Sequence, residues 1–336
     1  MLVYDPYYDV QGVSNSSLKH INPREGGSPF KFKEHWDKKA EPLRTSSLEF
    51  GNLLHLAVLE PHLCHYEVDK TNTPDKIRDI LKGMYDGIKA STDLANVVTG
   101  EAERIGPLED YVYAIIGACN NHSYGSTWKD ETRIGKVMSQ GNSYWNLLRN
   151  TDTFIITQDQ CDLLKRCLES IHSSPQAVKY LINMTDADGT FYNELEVHWE
   201  EPLFAFPFKA KIDRLYVSEK YKTYRVIDLK TTAKTLGQFH ESFDKYRYAR
   251  QVAFYNWAAE KYLQQQGYEG YAPENPLICA VETKGQNRVG IYGVTDETIS
   301  AGHAEISDLL YRLNHHFKTN RWLNELETDK EEIFWL

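Results

Sequence analysis

Between Phe191 and Lys230 the chain changes period. Three runs, FYNELEVHW (191–199), FAFPFKAKIDRLYV (204–217) and TYRVIDLK (223–230), are rich in β-branched and aromatic residues or alternate apolar with polar positions, the signature of pleated strands. Only a few residues separate one run from the next. A parallel crossover needs a dozen or more residues, so strands this close must pair as antiparallel neighbours. The segment therefore predicts a three-stranded meander. Pro207 has no N–H to give a ladder and predicts a bulge or an edge in the second strand.

Helical patterns flank the meander. Residues 46–60 carry Leu48, Leu53, Leu54, Leu56, Ala57, Val58 and Leu59 with Pro61 directly after. Ser46 or Ser47 can cap this helix, and its apolar band is too broad for a surface helix, so it should be buried. Residues 157–172 repeat Cys161, Leu164, Cys167, Leu168 and Ile171 at helical spacing behind Thr157, a capping residue. After the meander come a helix from about 246 to 266, closed by Gly267, strands over 276–283 and 288–294, and a helix over 296–318 with Leu309, Leu310, Leu313 and Phe317 on one face. Residues 1–45 read as irregular, broken by Asn22-Pro23 and Gly26-Gly27-Ser28-Pro29, with a basic-aromatic piece at Phe30, Lys31, Phe32, Lys33, Trp36, Lys38 and Lys39. Residues 70–150 are polar, with weak helical patterns near 75–87 and 108–119, and 141–150 reads as loop or short helix. The expectation is one α/β domain over 1–336, a central mixed sheet flanked by helices, with 75–150 as an insertion. No GxGxxG or GxxxxGK[ST] stretch points to a doubly wound nucleotide fold.

Composition narrows the function classes. No apolar run reaches the roughly 18 residues of a membrane helix. The N-terminal MLVYDPYYDV holds two acids and no basic residue, which argues against a signal peptide. Cysteines 64, 119, 161, 167 and 279 are scattered and form no CxxC pair, so a reducing, cytoplasmic setting fits better than a disulfide framework, and no zinc or iron–sulfur ligand set is present. The net charge of −10 argues, taken whole, against a nucleic-acid partner. Yet 209–250 holds 11 Lys and Arg against 5 acids, so it carries +6 within a chain that is otherwise −16. Such a segment is either a solvated face or a basic surface around a site, and charge alone does not decide.

Four residues of the meander carry chemistry: Glu194, Asp213, Asp228 and Lys230. In Asp228-Leu229-Lys230 the carboxylate and ammonium sit two apart and share a strand face. Carboxylates converging from three strands repel unless a cation lies between them, and hard oxygens suit Mg²⁺ or Mn²⁺. A lysine beside them can orient a water and offset charge on a phosphate. Each residue alone has an ordinary reading: D-x-K on a strand is commonly a surface pair, and Glu196 shares the face of Glu194. The order, acid, acid, D-x-K, helix, is what concentrates the signal.

That order resembles the PD-(D/E)-x-K nuclease superfamily, in its RecB-like and lambda-exonuclease-like branch, and is most similar to the nuclease domain of exonuclease VIII (RecE). The resemblance is carried by Gly12-Val13-Ser14-Asn15-Ser16-Ser17-Leu18, Phe50-Gly51-Asn52-Leu53-Leu54-His55, Leu59-Glu60-Pro61, Thr157 onward, Asn193-Glu194 with Trp199, Lys211-Ile212-Asp213, Ile227 to Thr232, and Tyr248-Ala249-Arg250-Gln251 with Tyr255. It covers most of the chain outside 75–150. It implies a restriction-endonuclease-like core, with Glu194, Asp213, Asp228 and Lys230 as catalytic residues and His55, Asp213, Asp228 and the Leu229 carbonyl as metal ligands. Gln251, Tyr255, Arg250, Ser14 and Ser16 would lie at DNA. The implied cofactor is Mg²⁺, with Mn²⁺ able to substitute, and no iron–sulfur cluster, since of the cysteines only Cys279 lies late.

The activity so implied is hydrolysis of linear double-stranded DNA from its ends, 5′→3′, in phage-type recombination within a bacterial cell. Partners would be duplex ends, further copies of the chain in a ring, and a single-strand annealing protein, with no membrane. Two alternatives stay open: a structure- or site-specific endonuclease of the same superfamily, and a relative that binds DNA without cutting.

Overall fold

Ser14 starts the first α-helix among the described residues. Its hydroxyl accepts the Ser17 amide while its own amide donates to Ser17 Oγ at 2.8 Å, a reciprocal cap on α1 (Asn15–Leu18). The computed structural model describes residues 7, 9–38, 46–99, 104–151 and 153–322. Most of the N-terminal stretch considered for a leader, and Lys39, lie outside them. The basic-aromatic piece is helical rather than irregular. Ser28 caps it and Pro29 opens it, giving α2 (Pro29–Trp36) with Phe32 buried. The apolar helix follows as α3 (Ser46–Leu59).

The described residues divide into two compact units, His65–Asp162 and the described part of 5–64 with 163–336. In the first, β1 (Tyr66–Val68) is followed by the helices α4 (Asp75–Thr99), α5 (Val112–Asn121) and α6 (Asp130–Asn150), and β2 (Phe154–Ile156) pairs in parallel with β1. This is a second, two-stranded sheet, whose three-residue strands are too short to announce it in the sequence. The helices share a core of Ile77, Ile80, Leu81, Ile115, Val137, Trp145 and Leu148. Residues 141–150 are the second half of α6, not a loop. Val137, Gly141, Tyr144, Trp145 and Leu148 form its buried stripe, and Gly141 belongs there because a Cβ would come within 2.5 Å of Leu81 Cδ1.

The chain continues with α7 (Gln158–His172), α8 (Pro175–Ala177) and a π turn over Val178–Ile182. Thr157 caps α7 as expected: its Oγ1 accepts the Gln160 amide at 3.2 Å, and Gln160 Oε1 returns to the Thr157 amide at 2.9 Å. The meander is β3 (Thr190–Trp199), β4 (Phe208–Ser218) and β5 (Thr223–Thr232), antiparallel throughout. β4 starts after Pro207, not at Phe204. The Pro207 carbonyl instead accepts Val13 N–H at 2.8 Å, and Lys209 N–H returns to Val13 O at 2.9 Å.

The helix expected from 246 is interrupted. α9 (Phe239–Lys245) ends before Arg247, which adopts φ 55°, and α10 (Tyr248–Gln265) begins after it. Gly267, at φ 76°, closes α10, with Tyr268 N–H returning to Leu263 O at 2.9 Å. A short β6 (Ala272–Pro273), then β7 (Leu277–Glu282), β8 (Val289–Gly293) and α11 (Asp296–Thr319) complete the unit. The main path of the sheet runs β3-β4-β5-β7-β8, with β7 parallel to β5, so the sheet is mixed. Its largest core joins Val197, Phe208, Ile212, Leu215 and Val226 to Phe254, Ala258, Leu309 and Leu313 of α10 and α11. Gly302 permits that helix pair: a Cβ there would lie 2.3 Å from Ala249 O. Among the described residues no helix is long and apolar enough to cross a membrane.

Candidate active site

The site lies where β5 changes partner. The β4–β5 ladder ends at Arg214↔Ile227, and from Ile227 onward β5 pairs with β7 on its other side. One step past that last pair, Asp213 stands opposite Asp228. The β3–β4 register, Asn193↔Arg214 and Leu195↔Ile212, puts Glu194 opposite Asp213 in turn. Three carboxylates thus fall in a row across three adjacent strands. Two short connections and a shared register are enough to produce it.

Beyond Ile227 the backbone of β5 has lost its β4 partner, and buried backbone groups must be satisfied somehow. Side chains take over. Leu229 N–H donates to Asp213 Oδ2 at 2.9 Å, and Leu229 O accepts from His55 Nε2 at 2.7 Å. Gly51, one turn before His55 on α3, faces β5: a Cβ there would meet Thr231 Oγ1 at 3.4 Å, an ordinary contact. The end of α3 is held by Asn193, whose amide donates to Leu59 O at 2.6 Å and accepts from Arg214 at 2.6 Å.

With Nε2 carrying the proton, His55 Nδ1 offers a lone pair. It faces Asp213 Oδ2 at 3.7 Å and Glu194 Oε1 at 3.9 Å. One ligand atom from each of the three residues lies within 4.8 Å of the others. Burial opposes a charge on His55, but Asp213 and Glu194 outweigh it and raise the ring above its usual range. Of the two acids on β3, Glu194 is the one beside His55; Glu196 lies near Lys211, at 3.9 Å. Glu194 has φ 47°, a left-handed conformation for a non-glycine residue inside a strand. Such geometry costs on the order of 1–3 kcal/mol and clusters at functional positions.

Asp228 is 0 % exposed. Its Oδ1 accepts from Lys230 Nζ at 2.7 Å, while its Oδ2 is buried without a hydrogen-bond partner. Burial pushes the carboxyl up to about 7, against the pull of Lys230. Lys230 is driven the other way from an ordinary buried amine: desolvation opposes its charge, but Asp228 and Asp213 hold it protonated. We take the charged lysine as dominant, because its ammonium has a direct contact with Asp228 and a second carboxylate, Asp213 Oδ2, at 3.9 Å. Tyr248, which the sequence alone gives no role, roofs the ammonium with its ring centroid 5.4 Å from Nζ. Lys211, also left without one, reaches Glu194 Oε2 at 3.6 Å; its two-residue offset from Asp213 was the available signal. Asn193 could be found only from the fold.

The helix positions divide. Gln251 Nε2 donates to Tyr255 OH at 3.1 Å. Burial together with Asp213 and Asp228 keeps that phenol well above its ordinary range, so the pair sits within the field of the carboxylates. Arg250, expected at DNA, points elsewhere. It is 2 % exposed and bonds Asn15, Glu25 and Glu305. Ser14 is likewise buried as the cap of α1, and its hydroxyl lies 2.9 Å from that of the exposed Ser16.

A family model described as a PDDEXK-like domain of unknown function (DUF3799) matches residues 142–328. Among solved structures the fold is similar to the crystal structure of a "putative exonuclease" from Eubacterium rectale, with a TM-score of 0.50 and 11 % identity over 100 % of this chain and 96 % of that one. No curated protein matches the chain in sequence.

Proposed function

The chain belongs to the PDDEXK-like DUF3799 family, and from that premise we propose that it is a metal-dependent deoxyribonuclease whose active site is the opening between β4 and β5. The observation that carries this is the row Glu194, Asp213 and Asp228, closed by His55 and Lys230, with one buried carboxylate oxygen left unpaired. Hard oxygens in excess and an imidazole lone pair are the donor set of Mg²⁺ or Mn²⁺. His55 Nδ1, Glu194, Asp213, Asp228 and the second lone pair of the Leu229 carbonyl would hold the ion. When bound, it activates water and neutralises charge on the scissile phosphate.

The remaining work falls to the protein. Lys230, kept protonated by two carboxylates, presents N–H donors to the oxygen on which negative charge builds. Tyr248 limits the directions in which that ammonium can turn. Gln251 and Tyr255, joined by a hydrogen bond, form a polar edge on α10 for the substrate backbone. The strain at Glu194 is maintained by the ladder pairs on either side of it.

The finer reading is that the enzyme degrades linear duplex DNA from its ends, 5′→3′, and leaves a 3′ strand for an annealing protein in phage-type recombination inside a bacterial cell. A ring of copies lined by the basic segment 209–250 would explain how an acidic chain holds DNA. The test supplies purified protein with end-labelled linear duplex and Mg²⁺ or Mn²⁺, and with closed circular DNA. Release of nucleotides from the linear form alone, lost in Lys230→Ala, is expected. Cutting of the circle would replace the exonuclease reading with an endonuclease. Absence of any cleavage would remove the nuclease.

A further inference from the structure

α9 and α10 meet in an unusual surface. Tyr246 caps α9 and is 54 % exposed, although it is a large aromatic. Its ring centroid lies 5.8 Å from that of Tyr248, and Tyr248 in turn covers Lys230. Phe239 stacks with Tyr248 at 6.0 Å and Phe243 meets it edge-on at 6.1 Å, so Tyr248 is held in an aromatic cluster and Tyr246 rides on a packed base. Lys245 Nζ hovers 5.2 Å from the Tyr246 centroid. Arg247 takes a left-handed backbone, φ 55°, although glycine would adopt it at no cost. It enters a groove of about 620 Å³ shared with Arg24, Arg312, Phe243 and Asp244. The acids of this groove are partly spent: Glu305 serves Arg250 and Asn22, and Asp308 lies 3.8 Å from Arg312.

We propose that Tyr246 is a stacking platform for an unpaired nucleotide next to the reacting phosphate, with Lys245 and Arg247 taking the flanking phosphates. This rests on the reading of the Lys230 site as a DNA nuclease and adds to it a preference for a frayed or single-stranded end. An exposed ring on a rigid base presents a π face that any nucleobase can cover, and stacking of this kind is indifferent to sequence. Lys245 beside the ring, and Arg247, the next residue in the chain and part of the groove lining, match the charge of the backbone that carries the base. A fixed array of rings running inward to Lys230 gives the base and the reacting phosphate a set separation. A lone exposed tyrosine would need no explanation; one flanked in the chain by two cations and touching the ring that covers the candidate catalytic lysine has a use.

The test measures binding and turnover separately, on the full chain. Fluorescence anisotropy with labelled single-stranded and blunt duplex oligonucleotides, in the Lys230→Ala background, should show Tyr246→Ala weakened about tenfold for the single strand and much less for the blunt duplex. Tyr246→Phe should bind like its parent. Arg247→Gln should flatten the salt dependence of binding by about one unit of slope. With Lys230 present, Tyr246→Ala should raise KM on duplexes with unpaired ends more than it lowers kcat. Equal binding of the single strand by Tyr246→Ala and its parent, with unchanged thermal midpoints, would overturn the platform. Absence of cleavage by the unaltered protein would strike the nuclease reading instead, and the binding comparison would still decide for or against the platform.

Discussion

Two clusters of buried charge lie within the larger unit, and they are built in opposite ways. Around Arg250 every demand is met. Its guanidinium bonds Asn15, Glu25 and Glu305, and Asn22 donates to both glutamates, at 2.8 and 2.9 Å. The N-terminal segment is thereby tied to α10 and α11. Around Asp228 demands are left open: an oxygen without a partner, a strand edge released by its neighbour and a glutamate in a left-handed conformation. Burial of charge is common to both, so burial does not mark function. What separates them is whether the group is satisfied by the chain itself or waits for something outside it.

The largest effect that can break this contrast is on stability. Arg250→Ala deprives Asn15 and the partly exposed Glu25 and Glu305 of a buried cation and should lower the unfolding free energy by about 3–4 kcal/mol, at roughly 1.5 kcal/mol or more for each charged hydrogen bond. Denaturant titration measures the loss, and cleavage per folded molecule should persist. Lys230→Ala should do the reverse: nucleotide release per folded molecule falls by about 10²–10³-fold, some 2.7–4 kcal/mol of barrier, while the denaturation midpoint falls less than in Arg250→Ala, because the buried Asp228 carboxyl, already pushed up to about 7, can take up a proton once the ammonium is gone. If both variants lost stability and activity alike, the two clusters would be one kind of object.

Ligand binding sharpens the contrast further. Mg²⁺ or Mn²⁺ at a hundredfold excess over its dissociation constant should stabilise the folded protein by about 2.7 kcal/mol, read as a rise in thermal midpoint. Arg250→Ala should keep this response from a lower baseline, and Asp228→Asn should lose most of it. The smallest expected effect concerns strain. Glu194→Gly should gain roughly 1 kcal/mol in the absence of metal, by relieving the left-handed backbone, while losing cleavage. Glu194→Ala, which keeps the strain, should lose cleavage without the gain. A destabilised Glu194→Gly would mean that the carboxylate contributes more to folding than its backbone costs.

Local chemistry was legible where local forces decide. Thr157 and Gly267 mark helix ends because a hydroxyl next to orphan amides, and a residue tolerant of positive φ, act within one turn. The limits of β3 and β5 followed from alternation and short connections. Misreadings arose where a neighbour distant in sequence intervenes. Residues 141–150 look like a loop or short helix until Leu81 is seen to occupy the space a Cβ at Gly141 would need. Phe204 and Phe206 look like strand but pack instead in the aromatic core against Phe208 and Phe317. Arg250 looks like a phosphate contact until Glu25 and Glu305 arrive from other segments.

The order of acids and lysine on three closely spaced strands was fixed by the chain alone, since a period of two and connections of a few residues leave one antiparallel arrangement. That arrangement aligns Glu194, Asp213 and Asp228 whatever the rest of the protein does. Whether the row becomes a site was decided by tertiary packing. β5 leaves β4 for β7 past Ile227, and His55, 174 residues from Leu229, fills the opening. Pairing over such distances depends on which surfaces bury best together, and no short-range pattern encodes it.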